Sequence, residues 1–251
     1  MLGKLIKYEV KATGRKLAPL YIALLALAII VKLLIGNLEV NNEFSGGIIQ
    51  VLSMFAYGAT MAAVFIITLY ITLERFYKNL LGREGYLMNT LPVPTWMNIS
   101  NKLIVTFMWN VVSVIVAFLS IIIIAYSKDL FASLPDILIT LKYNLQGQFF
   151  YVLEWIVYLL TSIVSSTLII YLSISLGHLF NKRRILLSFV AYVVISMDIS
   201  TFKDVINLSL YVPDTLALTS NVHGLLIFEI LISVVLFIGC NYIIKNKLNL
   251  E

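Results

Sequence analysis

Glu74–Val93 reads ERFYKNLLGREGYLMNTLPV and is the one long polar interruption in the first half of a very apolar chain. Gly46–Leu73 precedes it and Ile99–Tyr126 follows it, both strongly apolar. Crossing about 30 Å of hydrocarbon takes roughly 20 predominantly apolar residues. The stretch therefore reads as a loop between two membrane crossings, and that reading decides the fold. Of 251 residues, 61% are hydrophobic and 12% charged. Mean hydropathy is +0.97. Soluble domains average about 45–50% apolar and about 25% charged, so one water-soluble core cannot hide this much apolar surface. Runs such as Tyr21–Val31 and Ile121–Ile124 do not alternate as barrel strands must. The expectation is an all-α polytopic membrane protein.

Working outward, six spans are expected at 17–35, 46–73, 99–126, 148–179, 185–197 and 225–244, in one membrane domain covering 1–251. Pro19 falls in the first turn of the first span, where a missing N–H is harmless. Span 4 is long enough to tilt. Span 5 is short for a full crossing. Residues 1–16 place Lys4, Lys7, Lys11 and Arg15 between Leu2, Leu5, Ile6 and Val10 at helical spacing. That pattern predicts an amphipathic interfacial helix with its basic side chains toward anionic lipid. The run lacks a small-residue cleavage site, so it does not read as a removed signal peptide. Segment 198–224 is mixed in character and predicts an outer segment with short membrane-dipping helices.

Charge sets the orientation. All but four of the 18 basic residues fall in the segments that six crossings place with the termini. Only Lys32, Lys128, Lys142 and Lys203 lie on the other side. Short loops rich in Lys and Arg stay cytoplasmic, so both termini are expected inside, in the cytoplasmic membrane of a bacterium. The net charge of +5 then reports topology, not nucleic-acid binding. Cys240 is the single cysteine and cannot form an intrachain disulfide.

Chemistry is sparse. No glycine-rich turn ends in Gly-Lys-Ser/Thr to cradle phosphates. Phe44-Ser45-Gly46-Gly47-Ile48 looks superficially like the signature loop of ABC ATPases, but small residues easing helix approach are the better reading. His178 and His223 fall on opposite sides, and no paired-cysteine or His-x-x-x-His spacing suggests a metal site. No nucleophile–base motif supports a protease. A non-catalytic subunit without a bound cofactor is expected. Lys32, Glu154 and Glu229 map to outer halves of spans, as either an ion pair holding the bundle or a polar patch on a translocation path.

The loop itself mixes Arg75 and Arg83 with Phe76, Tyr77, Tyr86, Leu87 and Leu91. Such side chains anchor protein interfaces. A short helix from Glu84 to Thr90 is expected, ended by the restriction that Pro92 puts on Leu91. The acidic–Gly–x–Leu string Glu84, Gly85, Tyr86, Leu87 with Pro92 beyond resembles the first cytoplasmic loop of ABC-2 type permeases, the membrane subunits of ATP-driven exporters. The longer string RFYKNLLGREGYLMNTLPVP is similar to a Firmicute branch of that family, including exporters of phenol-soluble-modulin-type peptides. The motif covers about twenty residues, and the topology covers the whole chain.

The resemblance implies a partnership. Two permease chains, identical or sisters, would bind two cytoplasmic ABC ATPase subunits, which hold the ATP and magnesium. A coupling helix within 74–94 would dock on the ATPase through Arg75, Phe76, Tyr77, Arg83, Glu84, Gly85, Tyr86, Leu87, Leu91 and Pro92. Amphipathic or antimicrobial peptides are the leading cargo; lipid, drug and polysaccharide stay open. The 14 Tyr and 14 Phe residues and the acidic outer segments suit cationic amphipathic cargo. The alternative is a sensor or assembly subunit that binds a cytoplasmic partner and transports nothing.

Overall fold

The computed structural model describes residues 2–38, 43–82, 93–126, 135–136, 139–140, 149–180, 183–209 and 217–247. Among them there is no strand. Six long helices carry the fold: α1 Leu2–Leu38, α2 Glu43–Phe76, α3 Thr95–Ala125, α4 Phe149–Gly177, α5 Arg184–Ser209 and α6 Ala217–Asn246. Each contains a window long and apolar enough to cross a bilayer, so the chain is a multi-pass membrane protein.

Three expected boundaries move. No break separates residues 1–16 from the first span; α1 is one helix of 37 residues, roughly 55 Å at 1.5 Å per residue. Pro19 therefore lies in its interior, not in a first turn. Its ring leaves the Arg15 carbonyl without the usual amide donor, which long membrane helices tolerate. The fifth span does not end at 197. Asp198–Ser209 continues α5, and the segment from Ala217 already belongs to α6. The sequence predicts short membrane-dipping helices over 198–224; instead Asp198–Ser209 and the residues from Ala217 extend two long helices.

The helices form two compact units. The first comprises 1–72 and 105–143. Its core is Leu17, Tyr21, Leu24, Val64 and Ile71, with Trp109, Val112 and Val116 packed against it. Lipid tails are as apolar as leucine, so polar side chains must add interhelical attraction. Here Trp109 Nε1 donates to Thr13 Oγ1 at 2.7 Å. Tyr21 Oη and Ser113 Oγ are 2.8 Å apart, and Thr68 Oγ1 lies 3.2 Å from Ser113. Tyr57 and Ser120 hydroxyls meet at 2.6 Å. These bonds join α1, α2 and α3 side by side.

The second unit comprises 73–104 and 144–251. Its core gathers Phe76, Leu80, Leu81, Ile99, Leu168, Tyr171, Leu236 and Cys240. The helices α4 and α5 approach closely where one ends and the other begins. A Cβ added at Gly177 would stand 2.7 Å from both Arg184 O and Ser188 N. Only glycine lets the two backbones meet there.

Replacing Gly177 with Val should therefore lower the thermal stability of the detergent-purified chain by about 1–3 kcal/mol, the usual cost of overpacking. Gly239→Ala is the control, because its Cβ would meet Leu172 Cδ1 at an ordinary 3.5 Å. Equal melting temperatures for the two variants would contradict this packing.

Candidate functional site

The site is built at the root of the loop that opens after α2. The last helical turn before it is wider than an α-helix. Tyr77–Leu81 form a π-turn, closed by the Gly82 N–H donating to Tyr77 O at 2.9 Å. Such turns are rare and concentrate at functional sites. Glycine is required next. A Cβ at position 82 would lie 2.8 Å from the Lys78 carbonyl oxygen.

The π-turn is seated, not loose. Phe76 is fully buried and stacks on Tyr171 of α4, with ring centroids 3.7 Å apart and planes 5° from parallel. Leu80 and Leu81 are buried in the same core. Tyr77 stays partly exposed and sets its ring edge-on against His178, 5.0 Å between centroids. Lys78 and Glu74 make an i,i+4 ion pair on the outer face, worth little at such exposure.

On the far side of the loop the chain re-enters the same unit. Ile99 belongs to the same core as Phe76. Asn98, Asn101 and Lys102 are buried beside it. Asn98 Nδ2 and Asn101 Oδ1 are buried with no hydrogen-bond partner among the described residues, a state most native polar groups avoid. Burial first, and then the Arg184 charge, hold the His178 imidazole below its ordinary value of 6.5, so it is neutral at neutral pH.

The residues expected at the site fall into three groups. Arg83, Glu84, Gly85, Tyr86, Leu87, Leu91 and Pro92 lie outside the described residues. Arg75, Phe76 and Tyr77 are described, and they do different things. Phe76 turns its whole ring to Tyr171, so it anchors the turn and offers no face to a partner. Tyr77 keeps an outward face, and Arg75 is half-buried. Lys4, Lys7, Lys11 and Arg15 are exposed along α1.

The three membrane charges are each engaged locally. Lys32 Nζ sits over the Tyr126 ring, 4.1 Å from its centroid, a cation–π contact. Glu154 Oε2 lies 2.9 Å from His223 Nδ1. Glu229 is fully buried and receives the Ser165 hydroxyl from α4. Its cation is Lys203 of α5, 3.2 Å from Oε1 in hydrogen-bond geometry and 2.9 Å from Oε2. Lys203 and Ser165 were not singled out from sequence. The available signal was a lone lysine in a span-length helix, which demands a nearby carboxylate. Beside this cluster is an apolar cleft of about 440 Å³ between α4, α5 and α6, walled by Leu172, Ile199, Phe202 and Phe228, with Asp198 at its edge.

Breaking a buried pair strands one charge, so Lys203→Met should cost about 3–5 kcal/mol in unfolding of the reconstituted chain. The Lys203→Met, Glu229→Gln pair of changes should recover much of that loss. Equal destabilisation by the single and double variants would show that the two side chains are not coupled.

Among the described residues no group of three or more His, Cys, Asp or Glu side chains comes together. The chain matches no protein-family model, no curated protein and no solved structure.

Proposed function

We propose that this chain is the permease subunit of an ATP-driven exporter of the ABC-2 type, moved by separate cytoplasmic ATPases that dock on the loop between α2 and α3. One observation carries the reading. Both roots of that loop are embedded in a single helical core, through Phe76, Leu80 and Leu81 on one side and Ile99 on the other. A loop that merely links two spans needs no such seating. A loop that must pass a push to membrane helices does, because force travels only through packed contacts. Here the contacts run from the π-turn to Tyr171 and Leu168 of α4 and to Leu236 and Cys240 of α6. The orphaned amide atoms of Asn98 and Asn101 support a second arrangement of this root, in which they gain partners.

The exporter is a pair of permeases, identical or sisters, on two ATPase subunits, with both termini cytoplasmic and α1 beginning along the inner membrane surface. Hydrolysis of ATP belongs to the partner. Amphipathic peptides are the leading cargo. The apolar cleft with Asp198 at its edge has the chemistry to take apolar side chains of a cationic peptide, although its volume admits only a few at a time.

Gly85→Asp or Leu87→Asp should leave the helices folded and uncouple ATPase activity from transport in reconstituted vesicles, or release the ATPase altogether. Unchanged coupling in both variants would sink the docking assignment. Orientation is tested separately. A cysteine at Lys142 should react with an impermeant thiol reagent on intact cells and one at Lys182 should not, against a background in which the native Cys240 is buried. The reverse pattern would invert the topology.

A further inference from the structure

The six-residue connection between α4 and α5 ends in Arg183, and Arg184 opens α5. Both side chains are exposed, and neither guanidinium is paired with a carboxylate among the described residues. Arg183 has φ of 59°, the left-handed region that costs a non-glycine residue roughly 1–2 kcal/mol. Around the two arginines lies an open depression whose other walls are Tyr77, Ile185, Leu186 and Phe189. Among the described residues no acidic side chain lines it. Ile185 and Phe189 are 80% and 66% exposed.

We propose that this depression is a binding site for one anionic phospholipid, with the phosphate held by Arg183 and Arg184 and the acyl chain lying along Ile185 and Phe189.

Depth is the first argument. The candidate span of α5 begins at Arg184, which places the two guanidiniums at headgroup level and Phe189 about 7.5 Å deeper, five residues on at 1.5 Å each. A lipid reaches both levels with one molecule. A water-soluble partner reaches only the arginines. Charge complementarity is the second. A guanidinium fork matches phosphate oxygens bidentately, and it sheds water more easily than an ammonium does. Tyr77 supplies the amphipathic ring that favours this boundary. The field at the site is positive, since the same Arg184 charge helps to hold His178 neutral. The occupant is a lipid held at this open depression, separate from the diffuse basic surface expected along α1. The inference needs only the membrane-spanning reading and would survive failure of the exporter assignment.

The test uses the full chain in detergent, titrated with phosphatidylglycerol or phosphatidylcholine and followed by native mass spectrometry. Wild type should retain phosphatidylglycerol selectively. Arg183→Gly combined with Arg184→Gln should weaken that retention about tenfold or more, at roughly 1 kcal/mol per basic residue near a lipid surface, and leave phosphatidylcholine binding unchanged. Glycine suits φ of 59°, so Arg183→Gly removes the charge and relieves the backbone. Arg184→Gln alone gives an independent partial loss. Lys4→Gln with Lys7→Gln should leave the selective retention in place. Undiminished retention in the double arginine variant would overturn the site. So would equal loss of both lipids. If retention is unchanged but a cytoplasmic protein no longer co-purifies, the face belongs to that protein and the lipid proposal is wrong.

Discussion

The Phe76–Tyr171 stack fixes where the polar loop can act. Two aromatic rings lie nearly parallel at 3.7 Å, closer than the offset arrangements their quadrupoles prefer. Burial and dispersion outweigh that repulsion, because both rings are completely enclosed. The π-turn follows directly from Phe76, and Gly82 closes it. The end of α2 is thus tied to the middle of the second unit before the chain enters the loop. Any displacement of the loop root must move Tyr171 or break the stack.

A second constraint comes from the solvent. Hydrocarbon gives helices no hydrophobic reason to associate, so association rests on packing and on side-chain hydrogen bonds. The first unit answers with hydroxyls and one indole, Thr13 with Trp109 and Tyr21 with Ser113. The second answers with charge, Glu229 with Lys203 and Ser165. The buried ions are costly to dehydrate, and geometry alone makes them tolerable. Removing one member leaves the other stranded, so the three residues behave as one component.

Much of this was legible in the residues. Apolar length announced six crossings, and the polar stretch after α2 announced itself by contrast. The misreadings have physical causes. Lys203 looked like a water-facing residue because sequence displays a charge and hides its partner. Glu229 stands 26 positions beyond Lys203, too far for any helical rule to connect. Pro19 looked like a helix start because soluble helices reject proline inside, whereas α1 absorbs it. Phe76 looked like an interface anchor because aromatic residues in a polar loop usually are, yet its ring serves the interior. The π-turn has no signature in hydrophobic period at all. The string from Glu84 to Leu91, which carries the family resemblance, lies outside the described residues, so its reading rests on sequence.

The ion pair between α5 and α6 also bears on biogenesis. A helix entering the membrane from the translocon is judged partly on its own, and a lysine or aspartate within it weighs against entry by up to about 3 kcal/mol when central. The α5 segment carries Asp198, Lys203 and Asp204. Its neighbour α4 is already inserted and is separated from it by only six residues, so the two can enter as a hairpin with Gly177 at the crossing. Lys203 still lacks its carboxylate at that moment. Glu229 is synthesised later, on α6. The order of synthesis therefore leaves α5 as the least committed segment until the ribosome delivers its successor.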